Sequence, residues 1–268
     1  MSTSTVLPSG TVPGTILIET PLPTLSCDSS GYLIQNTSLY SVNISTGSTT
    51  LIRSSVGNGQ DAINAIGYNV FDNYLYGAIY NTASSTASLI RIAANGDSTV
   101  ITTLNVTGGG VPNAGDVDEN GQYWATVGGK FWVQVDLRPG SATFGTTRAS
   151  GLASLLNAVA DWAYVPGGGD ALWGFASTTL GLNTILVRWD RSSKLWTTAT
   201  DFGNIAGNNA WGAVYAGADG YLYGSENTSG QIWRFPLPAN GTTPVKISNG
   251  PQSTSNDGAR CVKAKGIS

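Results

Sequence analysis

The chain has no histidine among its 268 residues. That removes the side chain most often used as a general base near neutral pH, and with it Ser-His-Asp and Cys-His constellations and imidazole metal sites. Charge is scarce as well: 13 Lys and Arg and 16 Asp and Glu make 11% of the chain, with a formal net charge of −3. The basic residues do not cluster, so a phosphate backbone finds no electrostatic footprint and nucleic acid is not an expected partner. Apolar runs are short. The segment Ile16-Leu17-Ile18 falls far below the roughly 20 residues of a membrane helix, so no membrane insertion is expected. The opening Met1-Ser2-Thr3 has neither the basic start nor the apolar core of a signal peptide, which reads as a mature secreted form with an added Met1.

What is present points one way. Gly numbers 35, Tyr 11 and Trp 8 against a single Met, the profile of a turn-rich, secreted all-β protein. The two cysteines, Cys27 and Cys261, lie near opposite ends of the chain, a spacing useless for a metal knuckle but suited to tying a chain into a ring. Asn-x-Ser/Thr sequons at Asn36, Asn43, Asn105, Asn227 and Asn240 fit an extracellular glycoprotein.

One pattern recurs about every 45 residues. It opens with an Asn-led apolar segment, passes a Gly or Asp turn into a Tyr-Leu-Tyr-Gly-like strand, and adds two more strands. Complete copies begin at Asn64, Asn113, Asn157 and Asn209. Residues 31–55 read as a fifth copy without its opening strand, and Asn256-Asp257-Gly258-Ala259-Arg260-Cys261 at the other end has the form of that strand. The sequence therefore predicts an all-β, five-bladed β-propeller of four-stranded blades, closed by C-terminal strand overlap. Cys261 falls in the opening strand and Cys27 just before the second strand of one blade, so a Cys27–Cys261 disulfide is expected to lock the ring. Residues 1–25, with Pro8, Pro13, Pro21 and Pro23, fit no repeat and read as an extended tail or strap; residues 26–268 form a single propeller domain.

The repeat also sets the candidate site residues. Asn64, Asn113, Asn157, Asn209 and Asn256 open the five copies and place five amides near one mouth of the channel, where they bind a ligand on the axis or cap the turn into each inner strand. Trp162 and Trp211 occupy matching positions beside that mouth, where an indole stacks on a sugar ring or fills the core. Asp116, Asp161 and Asp257 follow opening asparagines, and a pair of them facing each other would supply the acid and base of glycoside hydrolysis. Asp116-Val117-Asp118-Glu119-Asn120-Gly121 has the opening of a calcium loop, with Asp116, Asp118 and Asn120 as ligands, but the twelfth position is Val127 instead of Glu. A hairpin turn explains the same residues, and no cofactor is expected.

The segments GYLIQNTSLYSVNISTGSTTLI, INAIGYNVFDNYLYGAI and the terminal NDGARC paired with SCDSSGYL resemble an uncharacterised family of secreted fungal and bacterial propeller domains, over residues 26–265. The resemblance implies the fold and an extracellular or surface-associated location, and carries no catalytic residues. The resulting expectation is an extracellular binding module for a cell-wall or surface glycan at the channel mouth. The alternatives are a carboxylate-dependent, glycoside hydrolase-like enzyme and a structural or adhesive protein without a small-molecule site.

Overall fold

The computed structural model describes residues 21–59, 61–82, 86–153, 158–177 and 183–267. Its strands form five separate four-stranded antiparallel sheets. After β1 (Gly31–Gln35), β2 (Ser38–Val42) and β3 (Thr49–Arg53) come β4 (Ile63–Asn69), β5 (Tyr74–Asn81), β6 (Thr86–Ile92) and β7 (Ser98–Leu104). The third blade holds β8 (Ala114–Val117), β9 (Gln122–Val127), β10 (Phe131–Asp136) and β11 (Thr147–Leu152), the fourth β12 (Ala158–Tyr164), β13 (Ala171–Ser177), β14 (Ile185–Asp190) and β15 (Trp196–Asp201). The fifth holds β16 (Trp211–Ala216), β17 (Tyr221–Glu226), β18 (Gln231–Pro236) and β19 (Val245–Asn249), and β20 (Asn256–Arg260) returns to the first sheet.

The closure expected from the two chain ends is present. β20 pairs antiparallel with β1 from Gly31 opposite Arg260 to Gln35 opposite Asn256. Cys27 and Cys261 are bonded across a separation of 234 residues, their Cα atoms 5.2 Å apart. Residues 22–25 lie against the second blade: Leu25 N donates to Asn73 O at 2.8 Å, Ala94 N to Pro23 O at 2.9 Å, and the Tyr74 hydroxyl to Leu22 O at 2.6 Å. Residues 1–20 lie outside the described residues.

The inner strands β20, β4, β8, β12 and β16 stand next to one another around the axis. At the β4–β8 seam the approach is main chain to main chain. A Cβ on Gly67 would sit 2.6 Å from Asp116 Cα, and one on Gly115 2.4 Å from Ala65 O, so both positions demand glycine. Behind this ring the second strands supply the core. Leu33, Leu75, Tyr123, Leu172 and Leu222, the large residues that recur once per repeat, are at most 2% exposed. Between the third and fourth blades the filling is indole: Trp124, Trp132, Trp162, Trp189 and Trp196 form a cluster with ring centroids 5.3 to 6.4 Å apart.

Candidate functional site

Four of the opening asparagines spend their amides on hydrogen bonds within the protein. Asn113 donates Nδ2 to Val159 O at 2.8 Å and Ala160 O at 3.1 Å and accepts from Gly128 N, so one amide ties the third blade to the fourth. Asn209 Oδ1 accepts from the Thr184 hydroxyl and from Ile205 N and Ala206 N. Asn256 accepts from Gln35 Nε2 and donates to Asn227 Oδ1, both within the closure region. Asn64 Oδ1 accepts from Ala65 N, the next residue. Asn157 lies outside the described residues. These amides are consumed by local main chain and neighbouring side chains, which is what an asparagine at the entry of a strand does best.

Trp162 and Trp211 are also inside, at 1% and 0% exposure, and Trp211 Nε1 donates to the Thr184 hydroxyl at 2.9 Å. Asp118 and Asn120 sit in a hairpin turn. Asp118 Oδ1 accepts from Asn120 N and Gln122 N while Oδ2 takes Trp124 Nε1 at 2.8 Å and an Arg191 nitrogen at 2.5 Å. Among the described residues no three acidic or sulfur side chains gather as a metal site. Of the sequons, Asn36, Asn43, Asn105 and Asn240 are exposed and Asn227 is half-buried.

The sequence placed Asp116, Asp161 and Asp257 together, and they do converge, but inside the ring: they are 5%, 0% and 1% exposed. Each carboxyl accepts from the main chain of the next blade. Asp257 Oδ2 takes Ile66 N, Asp116 Oδ2 takes Tyr164 N, and Asp161 Oδ2 takes Val214 N, at 2.7, 2.8 and 2.7 Å. Burial pushes Asp116 up to about 8, against the hydrogen bonds of Tyr164 and Val117. Burial raises Asp161 and Asp257 well above the ordinary carboxyl range, reinforced at Asp161 by the Asp257 charge.

The open part of the axis lies just beyond the ends of the inner strands. Val70 and Phe71 after β4, Glu119 after β8, Tyr164 and Pro166 at the end of β12, Ala218 after β16, and Val262 and Lys263 after β20 line a cleft of about 410 Å³. All five blades contribute, so the cleft is the mouth of the propeller on this face. Phe71 is 45% exposed, with the Arg138 guanidinium 5.8 Å and the Lys263 ammonium 6.0 Å from its ring centre.

Arg191 organises the wall. Its guanidinium contacts Asp118 at 2.5 Å, Glu119 at 2.7 Å and Asp170 at 2.8 Å, and lies 5.4 Å from the centre of the Tyr164 ring. Burial and the neighbouring Glu119 charge raise the Tyr164 hydroxyl above its usual value, keeping it a neutral donor. A second cleft, also about 410 Å³, runs outward between the fourth and fifth blades and shares Pro166 and Ala218 with the first. It is lined by Gly167, Gly168, Trp173, Arg188, Asp219, Leu237 and Asn240. Arg188 is paired with Asp190 at 2.9 Å, and Asn240 donates to Gly220 O.

Sequence reasoning missed Phe71, Glu119, Tyr164, Arg191 and Lys263 because all but Tyr164, the last residue of β12, occupy turns that do not repeat. The usable signal was that departure itself: the third copy carries Pro166-Gly167-Gly168-Gly169 between its first two strands where the first copy has Val70-Phe71-Asp72-Asn73.

No curated protein sequence matches the chain. Among solved structures, a chain of the nidogen/laminin complex superposes with a TM-score of 0.52 at 9% identity, covering 87% of this chain and 98% of that one. Virginiamycin B lyase from Staphylococcus aureus gives 0.47 at 15% identity, covering 84% and 69%, and an auxiliary nutrient binding protein from Bacteroides thetaiotaomicron 0.48 at 10%, covering 83% and 56%. At 9% identity the likeness to the nidogen/laminin chain speaks for the fold alone. The sequence signal is narrower and longer: a family model matches residues 29–263, and the chain belongs to that family, described as a repeat of unknown function (DUF6923).

Proposed function

We propose that this propeller is an extracellular binding module that holds a glycan in the cleft at its axial mouth and along the adjoining cleft between the fourth and fifth blades. The observation that carries the reading is that the two clefts adjoin, with Pro166 and Ala218 lining both. Its chemistry suits a polyhydroxylated chain. Phe71 offers an exposed ring, and the Arg191–Glu119 and Arg188–Asp190 pairs offer fixed hydrogen-bonding groups whose charges are already matched. The disulfide supports an oxidising, extracellular setting. Hydrolysis by the axial acids has less support, since Asp116, Asp161 and Asp257 are buried and already hold main-chain N–H groups.

The test is a screen of the oxidised protein on an array of neutral and acidic polysaccharides, with released reducing sugar measured on the same ligands. Binding without turnover is expected. Phe71→Ala should weaken it about tenfold, roughly 1.4 kcal/mol, with the melting curve unchanged because the ring is exposed. Turnover lost in Asp116→Asn or Asp161→Asn would favour the enzyme, and silence in both assays a structural role.

A further inference from the structure

In the fourth blade the turn from β14 to β15 carries a lysine where the corresponding turn of the first blade, from β2 to β3, has a glycine. The two turns share a hydrogen-bond pattern: Gly47 N donates to Asn43 O and Asn43 N to Ser48 O in one, Lys194 N to Asp190 O and Asp190 N to Leu195 O in the other. The backbone is left-handed at both, with φ of 77° at Gly47 and 61° at Lys194. An L side chain adopts that region only at a cost, so the surroundings must hold Lys194 there.

What the lysine reaches is a box of three indoles. Trp124 from β9, Trp132 from β10 and Trp189 from β14 stand with ring centres 5.5 to 5.9 Å apart and planes inclined by 45° to 68°. The Lys194 ammonium lies 4.7, 4.9 and 5.5 Å from the three centres, each within the roughly 6 Å over which a ring face attracts a cation. None of the three rings lines the axial cleft or the cleft between the fourth and fifth blades.

A primary ammonium is not the best occupant of such a box. It has three N–H donors, and its hydrogen bond within the protein goes to Arg191 O, while the indole faces offer no lone pair. Burial holds the Lys194 ammonium below its ordinary value, against the charges of Asp170 and Asp190. A quaternary ammonium has no N–H to satisfy and cannot shed its charge, so the same three faces suit it better. The way in is the path the lysine takes: Lys194 is half-buried, and Ser192, Ser193 and Leu195 of its turn are exposed.

We infer that Trp124, Trp132 and Trp189 form a binding site for a methylated ammonium group of the choline type, closed by Lys194 until the ligand displaces it. The site is independent of the glycan groove and of the reading given to it.

Lys194→Gly tests this, because it empties the box and gives the turn the residue that the first blade uses. Followed by tryptophan fluorescence and calorimetry, the variant should bind choline at least about tenfold more tightly than the wild type, and dimethylbutanol, the neutral isostere of choline, about tenfold more weakly than choline. Adding Trp132→Leu should weaken choline by about tenfold again. Phosphatidylcholine vesicles run beside choline separate a lipid headgroup from a free ligand as the source of the group. Should Lys194→Gly fail to fold, the indole N–H resonances of the wild type give the second reading: those of Trp124, Trp132 and Trp189 should shift with choline at millimolar concentration while those of Trp173 and Trp211 stay in place. Equal binding of choline and its neutral isostere, no saturable binding of choline or of the vesicles by Lys194→Gly, or indole resonances that do not respond would overturn the assignment.

Discussion

Replacing Cys27 and Cys261 together by serine is expected to lower the thermal midpoint by about 10–20 °C, and reduction of the wild type should reproduce the loss. Cross-linking a loop of this length contributes about 5 kcal/mol in the chain-entropy model, and a domain of this size shifts by about 2–4 °C per kcal/mol. The bond spans 234 residues, and it anchors the strand on which closure depends. Within its sheet β20 is hydrogen-bonded to β1 alone, through five residue pairs, and without the cross-link this ladder competes with the entropy of a free chain end. The effect reaches the groove, because Val262 and Lys263 directly follow Cys261 and line the axial cleft. Scanning calorimetry with and without reductant, paired with ligand titration, checks both parts. An unchanged midpoint would mean that strand pairing and the Arg260 contacts to Ser29 and Lys265 suffice on their own.

Arg191→Met is expected to destabilise the fold by about 3–5 kcal/mol, the usual cost of removing one partner of a buried charge pair. The reason is Asp118, 2% exposed, which would lose its cation while remaining buried; Glu119 and Asp170, at 41% and 51%, are solvated and contribute little. The double variant Asp118→Asn, Arg191→Met should recover most of the loss, since an amide still accepts from Trp124 Nε1 or the turn N–H groups without needing a countercharge. Urea denaturation of the two single variants and the double variant measures the coupling. Additive losses would show that Arg191 acts by packing against Tyr164 and not through its charge.

The features of this protein that can be read along the chain are those that repeat. A blade needs the same large residue facing its neighbour each time, so Leu33, Leu75, Tyr123, Leu172 and Leu222 announce themselves at a fixed interval. The overlap closure is legible for the same reason, because an opening strand without its blade at one terminus matches a blade without its opening strand at the other. Convergence of Asp116, Asp161 and Asp257 also follows from the repeat, but their depth does not. An aspartate in an inner strand reads alike whether it faces solvent at the mouth or the main chain of the next blade, and the difference is a matter of how tightly five strands close around the axis.

Amino-acid order was enough to specify the class of fold, the number of blades and the pairing of the two cysteines, because periodic burial and the two incomplete ends leave little freedom in how the chain closes. It took the closed ring to bury Trp162, Trp211, Asn209 and Asn256, and to build the exposed groove from Phe71, Glu119, Tyr164 and Lys263. Those residues lie in turns or at a strand end of four different blades, far apart in the chain and unlike one another, and nothing local marks them until ring closure brings them to one mouth.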